Sequence, residues 1–208
     1  MTIEGIGAAK KSVRQRVLAR RDALSADTRE RKSAQVTSRL LELPAFAGAA
    51  TVSAYASFGT EFDTGFFLAA VLARGKNLVL PRVARERKEL TFHFVTDPEH
   101  SLLPGQWGIR EPDPVQCADA RLDQIDFMLV PGVAFTPRCE RLGYGGGFYD
   151  AAISGTRTDV TKVAAAFAVQ IVNDLPLESH DRRVDLVVTE DAQYPPMPDG
   201  GEGGAKLR

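Results

Sequence analysis

Hydrophobic positions along the chain follow two rhythms. Val13, Val17 and Leu24 recur at helical spacing among basic residues, which predicts an amphipathic helix over 10–24. Ser25 stands where a cap belongs and predicts a second helix running to about Leu41, before Pro44 and Gly48 break the pattern. Val52 to Ser57, small and β-branched, predicts a strand. Asp63 or Thr64 is placed to cap a helix over 65–74, with Phe66, Phe67, Ala70 and Val71 on its buried face and Gly75 at its end. Leu78 to Pro81 predicts another strand, and the alternation from Leu90 to Val95 a half-buried one. Phe127 to Val130 is wholly apolar and closed by Pro131-Gly132. A glycine-rich turn, a helix from about Phe148, and buried strands over 163–169 and 185–189 complete the pattern. Helix and strand alternate, so the fold expected is α/β: a single-domain layered fold with a mainly parallel central sheet flanked by helices.

Two stretches fit neither rhythm. Residues 97–123 are rich in Pro, Gly and acids and hold Trp107, the only tryptophan, which predicts a long structured loop of functional kind. Residues 195–208 are Pro- and Gly-rich and read as a disordered tail, leaving 1–194 as the domain.

Composition narrows the partners. The chain has 208 residues, room for one domain with a sizeable core, and a net charge of -1, which excludes a general polyanion binder such as a nucleic-acid protein. Lys10, Lys11, Arg14, Arg16, Arg20 and Arg21 nevertheless cluster with no acid among them, a patch suited to phosphate. Cys117 and Cys139 fit no metal spacing and build no disulfide framework. With no secretory h-region and no long apolar run, the expectation is a soluble cytoplasmic protein with no membrane partner.

The sharpest local feature is Arg141-Leu142-Gly143-Tyr144-Gly145-Gly146-Gly147-Phe148-Tyr149-Asp150, with four glycines in five positions between an apolar strand and a helix. Backbone amides there can approach an anion closely, and Arg141 could add a bidentate contact. It is neither a Walker loop nor a dinucleotide fingerprint. A ligand-free tight turn is the bland alternative. Asp150 and Asp181 are candidate magnesium ligands or, more plainly, a helix-start acid and a turn acid. Lys10 and Arg14, four apart, share a helix face that either meets phosphate or stays solvated. Glu61, just past a core strand, could hold an amino-pyrimidine edge or be an ordinary loop acid. Trp107 could stack on a ring or anchor its loop. His93 and His100 have no partners at metal spacing, and His180 precedes Asp181.

These segments, in order, resemble the 5-formyltetrahydrofolate cyclo-ligase family over about residues 10–190. The resemblance rests on Lys10 to Arg14, Glu61 to Thr64, Leu80-Pro81-Arg82, Trp107 to Pro112, Val130 to Phe135, Arg141 to Asp150 and His180 to Asp185. It implies a monomeric ligase using ATP and Mg2+, with 5-formyltetrahydrofolate, with or without added glutamates, as substrate. It assigns ATP to Lys10, Arg14, Arg141, Leu142, Gly143, Tyr144, Gly145, Gly146, Gly147, Phe148 and Tyr149. Folate falls to Ala56, Glu61, Trp107 and the 144–148 segment, magnesium to Asp150 and Asp181, and catalysis to Arg141 and Tyr149. Two departures stand out: Phe148 replaces a tyrosine common among members, and Ala56 offers only a methyl. The implied reaction phosphorylates the formyl oxygen, and N10 then displaces phosphate to form 5,10-methenyltetrahydrofolate. A phosphate-binding sensor and a small-molecule kinase are the rival readings. The sensor would leave Asp150 and Asp181 idle, and the kinase would release a phosphorylated product.

Overall fold

The computed structural model describes residues 3–84, 86–105 and 108–195. Two helices open the chain, α1 (Ile3–Asp22) and α2 (Ala26–Leu41), followed by a short α3 (Pro44–Gly48) and strand β1 (Thr51–Ser53). Next come α4 (Gly65–Ala73), β2 (Asn77–Ala84), β3 (Glu89–Phe94), the paired β4 (Leu102–Pro104) and β5 (Arg110–Pro112), β6 (Asp119–Ala120) and β7 (Phe127–Leu129). The short β8 (Ala134–Phe135) and β9 (Arg141–Leu142) precede α5 (Phe148–Gly155), β10 (Thr161–Ala165), β11 (Leu186–Val188) and β12 (Gln193–Tyr194). Among the described residues, no helix is long and apolar enough to cross a membrane.

One eight-stranded sheet, in the order β12-β11-β10-β7-β1-β2-β3-β6, forms the frame. The five strands from β11 to β2 run parallel, and the marginal ladders of β12, β3 and β6 are antiparallel. Alternation on the central strands explains their unbroken apolar runs. Leu78, Leu80, Phe127, Leu129, Val163 and Ala165 pack with Val36, Leu40, Phe46 and Phe67 on one face. Val79, Met128, Val130 and Ala164 pack with Phe135 and Ala152 on the other. Strands covered by helices on both faces must be apolar at every position. The α/β class expected from the pattern is therefore the fold observed.

Several boundaries differ, each for a local reason. The first helix begins at Ile3, not near residue 10. Pro44 and Gly48 bound a turn of helix, because proline is tolerated at a helix start. The strand expected over 52–57 stops at Ser53: Ala54 still donates to Val79 O, but Ser57 and Thr64 then bond each other and turn the chain away. Phe66 is exposed, since on an all-apolar helix only Phe67, Leu68 and Val71 face the core. The strand expected over 163–169 ends at Ala165, and Ala168–Gln170 forms a 3-10 turn. The 97–123 stretch is not one loop; it carries the β4–β5 pair and the edge strand β6. Trp107, and the tail from residue 196 onward, lie outside the described residues.

Candidate active site

Chain segments leave the sheet at the carboxyl ends of β1, β7 and β10, and α1 packs beside them. Val13 and Val17 seat α1 against Val133, Ala134, Leu142 and Val172. That docking directs Lys10 toward the segment that follows β10, and Arg14 and Arg21 toward the segments that follow β7 and β1.

Lys10 is buried and donates to Asp181 at 2.7 and 2.9 Å and to Glu178 at 2.7 Å. Burial works against its charge, but the hydrogen bonds it gives to Asp181 and Glu178 outweigh that and hold the amine above its usual pKa. Burial likewise pushes the Asp181 carboxyl up, while the Lys10 ammonium and the Glu178 N–H, which donates at 2.6 Å, leave it below the ordinary value. Arg14 Nε donates to Gly143 O at 2.8 Å, and its guanidinium lies 3.5 Å from where a Cβ of Gly145 would stand.

Arg21 is buried and ties the two halves of the site together. Its Nε donates to Thr60 at 3.0 Å and its terminal nitrogen to Tyr144 Oη at 2.8 Å. Tyr144 in turn donates to Glu61 Oε1 at 2.5 Å, and the Phe58 N–H holds Oε2 at 3.1 Å. Burial raises the Glu61 carboxyl above its ordinary pKa, against the opposing pull of Tyr144, Phe58 and Arg21. The phenols of Tyr144 and Tyr149 are pushed up by burial and by the charge of Glu61, and that of Tyr55 by burial, Glu61 and both neighbouring phenols. All three therefore stay protonated at neutral pH.

The glycine segment is shaped around Arg141. This buried side chain donates to Asp150 Oδ1 at 2.7 Å and to Pro131 O at 3.2 Å, while its Nε is buried without a partner. A Cβ on Gly143 would lie 2.9 Å from the guanidinium, and one on Gly146 would lie 2.7 Å from the Phe148 ring. Gly145 and Gly147 have φ of +107° and +71°, which favour glycine, and Gly147 starts α5. The Arg182 N–H, one residue past Asp181, donates to Asp150 Oδ1 at 3.0 Å, so the two expected metal ligands belong to adjoining segments. Among the described residues, no three His, Cys, Asp or Glu side chains converge on a metal position. Two carboxylates do suit Mg2+ when phosphate oxygens and water supply the rest.

The structure thus joins Lys10 to Asp181, Arg14 to the glycine segment, Arg141 to Asp150, and Tyr144 to Glu61. Ala56 packs at the edge of the core and offers shape only. Tyr55, Thr60 and Glu178 were not named from sequence, and Arg21 only as one of the basic cluster on the first helix. Arg21 had a signal, lying seven positions after Arg14 on the same helical stripe; the others had none.

Fold and site together define a single-domain α/β protein whose polar centre is built at the carboxyl ends of parallel strands, from a basic helix and a glycine turn. The 5-formyltetrahydrofolate cyclo-ligase family matches residues 6–190, and the chain belongs to this family of ligases. The Escherichia coli (strain K12) cyclo-ligase is 31% identical, over 82% of this chain and 94% of its own length. The mouse cyclo-ligase is 27% identical, over 90% and 96%. The NMR structure of Aquifex aeolicus 5,10-methenyltetrahydrofolate synthetase matches with a TM-score of 0.79 and 34% identity, over 96% of each chain. The Mycoplasma pneumoniae synthetase, at 22% identity, shares the fold with a TM-score of 0.71, over 87% of this chain and 98% of its own.

Proposed function

We propose that this enzyme cyclises 5-formyltetrahydrofolate to 5,10-methenyltetrahydrofolate, converting ATP to ADP and phosphate. The observation that carries the reading is the Arg21–Tyr144–Glu61 chain, which fastens the glycine segment to a buried carboxylate past β1. The glycine turn would hold phosphate, and Glu61, bonded to it through Tyr144, would orient a pterin. Membership of the ligase family supports the same chemistry.

The N5-formyl group is amide-like, and its oxygen is a poor leaving group. Transfer of the γ-phosphoryl group to that oxygen makes the carbon electrophilic. N10 then forms the new C–N bond, the C–O bond breaks, phosphate leaves with the electron pair, and N10 gives up its proton. The residues position and neutralise charge, which is most of what phosphoryl transfer needs. Lys10, Arg14 and Arg141 would face the phosphates, and the amides of 143–147 would hold them in line. Glu61 would accept from the pterin's amino-pyrimidine edge, with Tyr144 keeping it oriented. Asp150 and Asp181 would hold the Mg2+ that shields the triphosphate, after exchanging part of their pairing with Arg141 and Lys10.

The test is an assay with 5-formyltetrahydrofolate, ATP and Mg2+ that follows near-ultraviolet absorbance of the methenyl product and release of phosphate. Product in step with phosphate, and only with both ATP and Mg2+ present, supports the reading. Folded protein that binds ATP and yields no product overturns it.

A further inference from the structure

Three cationic side chains with no part in the chemistry above meet around a separate cavity. Lys162, Arg182 and Arg183 line it together with Ile153, Ser154 and Asp185, and its volume is about 330 Å³. Clefts of that order, at the low end of the range, take small metabolites.

The fold builds the cluster at the amino ends of β10 and β11, whereas the polar centre described above lies at the carboxyl ends of the strands. The two strands run parallel with Val163 opposite Leu186, which sets Lys162 beside Asp185. The Lys162 N–H donates to Asp185 Oδ2 at 2.7 Å, and the Asp185 N–H donates back to Lys162 O at 2.8 Å. The last turns of α5 supply the other wall. There Ser154 Oγ accepts from Arg182 Nε at 2.8 Å and donates to Asp150 O at 2.8 Å.

Donors are left over on all three cations. The Lys162 side chain is only 13% exposed, yet among the described residues its Nζ gives no hydrogen bond, and its ion pair with Asp185 is a loose 3.9 Å. A largely buried ammonium so weakly answered is a receptor for an anion. Ser154 fixes the Arg182 guanidinium by its Nε, and among the described residues the two terminal nitrogens give no hydrogen bond. Arg183 gives one terminal nitrogen to Glu140 at 2.9 Å, a carboxylate that Thr136 and Arg138 also answer. Three cations against a single carboxylate in the lining leave two positive charges over. A phosphate carries two negative charges above pH ~6, and guanidinium forks match its oxygens in pairs.

We infer that this cavity is a second anion site, which takes a phosphate dianion, free or as the monoester of a small metabolite, on Lys162, Arg182 and Arg183. The inference stands apart from the folate reading. Its test is calorimetric titration of the full chain at physiological salt with orthophosphate and with glycerol 3-phosphate. The proteins are wild type, Lys162→Met, Arg183→Ala and Arg14→Ala. Arg182 is kept, because its side chain anchors the turn whose N–H holds Asp150. Binding to wild type at millimolar ligand or below is expected to weaken at least about tenfold in Lys162→Met and about threefold in Arg183→Ala. It should persist in Arg14→Ala, since Arg14 belongs to the glycine segment. Tighter binding of the ester assigns the site to monoesters, and tighter binding of orthophosphate to the free ion. The Arg183 side chain is 59% exposed and Glu140 keeps its other partners without it, so that variant folds even if Lys162→Met does not. No binding of either ligand to wild type overturns the inference. Binding that survives both cavity substitutions, or that vanishes in Arg14→Ala, places the anion at the glycine segment and overturns it too.

Discussion

At the scale of single residues, pKa direction decides what each group can do. In the proposed reaction Glu61 must be ionised to accept from a pterin, and its carboxyl titrates above the usual range because it is buried. KM for the folate is therefore expected to rise as pH falls through that raised value, at a higher pH than the ~4.3 of a free glutamate. Tyr144→Phe removes a hydrogen bond that lowers the Glu61 pKa, so the acid limb of kcat/KM should move further up; an unmoved limb would dissociate Glu61 from it. Arg141→Ala should lower turnover at least about tenfold, ~1.4 kcal/mol of barrier, with circular dichroism unchanged. Near-normal turnover would remove Arg141 from the phosphate site.

The Lys10–Asp181 pair makes a stability prediction with a definite sign. Asp181 titrates below its ordinary value in the fold, so its contribution is present above ~3.9 and is lost as pH falls through the depressed value. Lys10 titrates above its ordinary value, so its contribution is full below ~10.4 and is lost as pH rises through the raised value. Lys10→Met should cost on the order of 2 kcal/mol in urea unfolding at neutral pH. That is less than the ~3–5 of a fully buried pair, because Glu178 is partly solvated. The deficit should narrow only in acid or strong base.

At the scale of elements, caps and turns carry the argument. Ser25 accepts from the Thr28 N–H at the start of α2 and touches none of the site residues through that bond. Ser25→Ala should lower stability by about 1 kcal/mol without changing kcat, read by thermal melting alongside the assay. That cap was legible because the serine stands alone before a helical run. Strand ends were less so. Pro81 looks like a terminator, yet β2 continues past it, because β1 has already ended and proline is tolerated where a strand has one neighbour. The pair β4–β5 was hidden by the prolines and glycines around it. The glycine segment was legible as a site, but its attachment to Glu61 was not, since residues 61 and 144 meet only through the order of strands in the sheet.

For the whole molecule, the site draws on α1, the segment past β1, the glycine segment and the 178–182 turn, so a bound ligand should brace all of them. Mg-ATP at about 100 times its Kd stabilises a protein by ~2.7 kcal/mol. For a domain of this size that corresponds to a melting shift of roughly 5–10 °C. A shift with ATP that disappears in Arg14→Ala would tie the effect to the basic face of α1; an equal shift in that variant would point to another nucleotide position.

The bond between Lys10 and Asp181 also bears on biosynthesis. The helix that bears the lysine is made well before its partner, 171 residues further along, and before the strands β11 and β12 that complete the sheet. A nascent chain therefore carries the helix without these partners until the 178–182 turn has been made. Activity should appear in an all-or-none manner as the chain is extended past residue 194, with no shorter fragment acting as a partial enzyme.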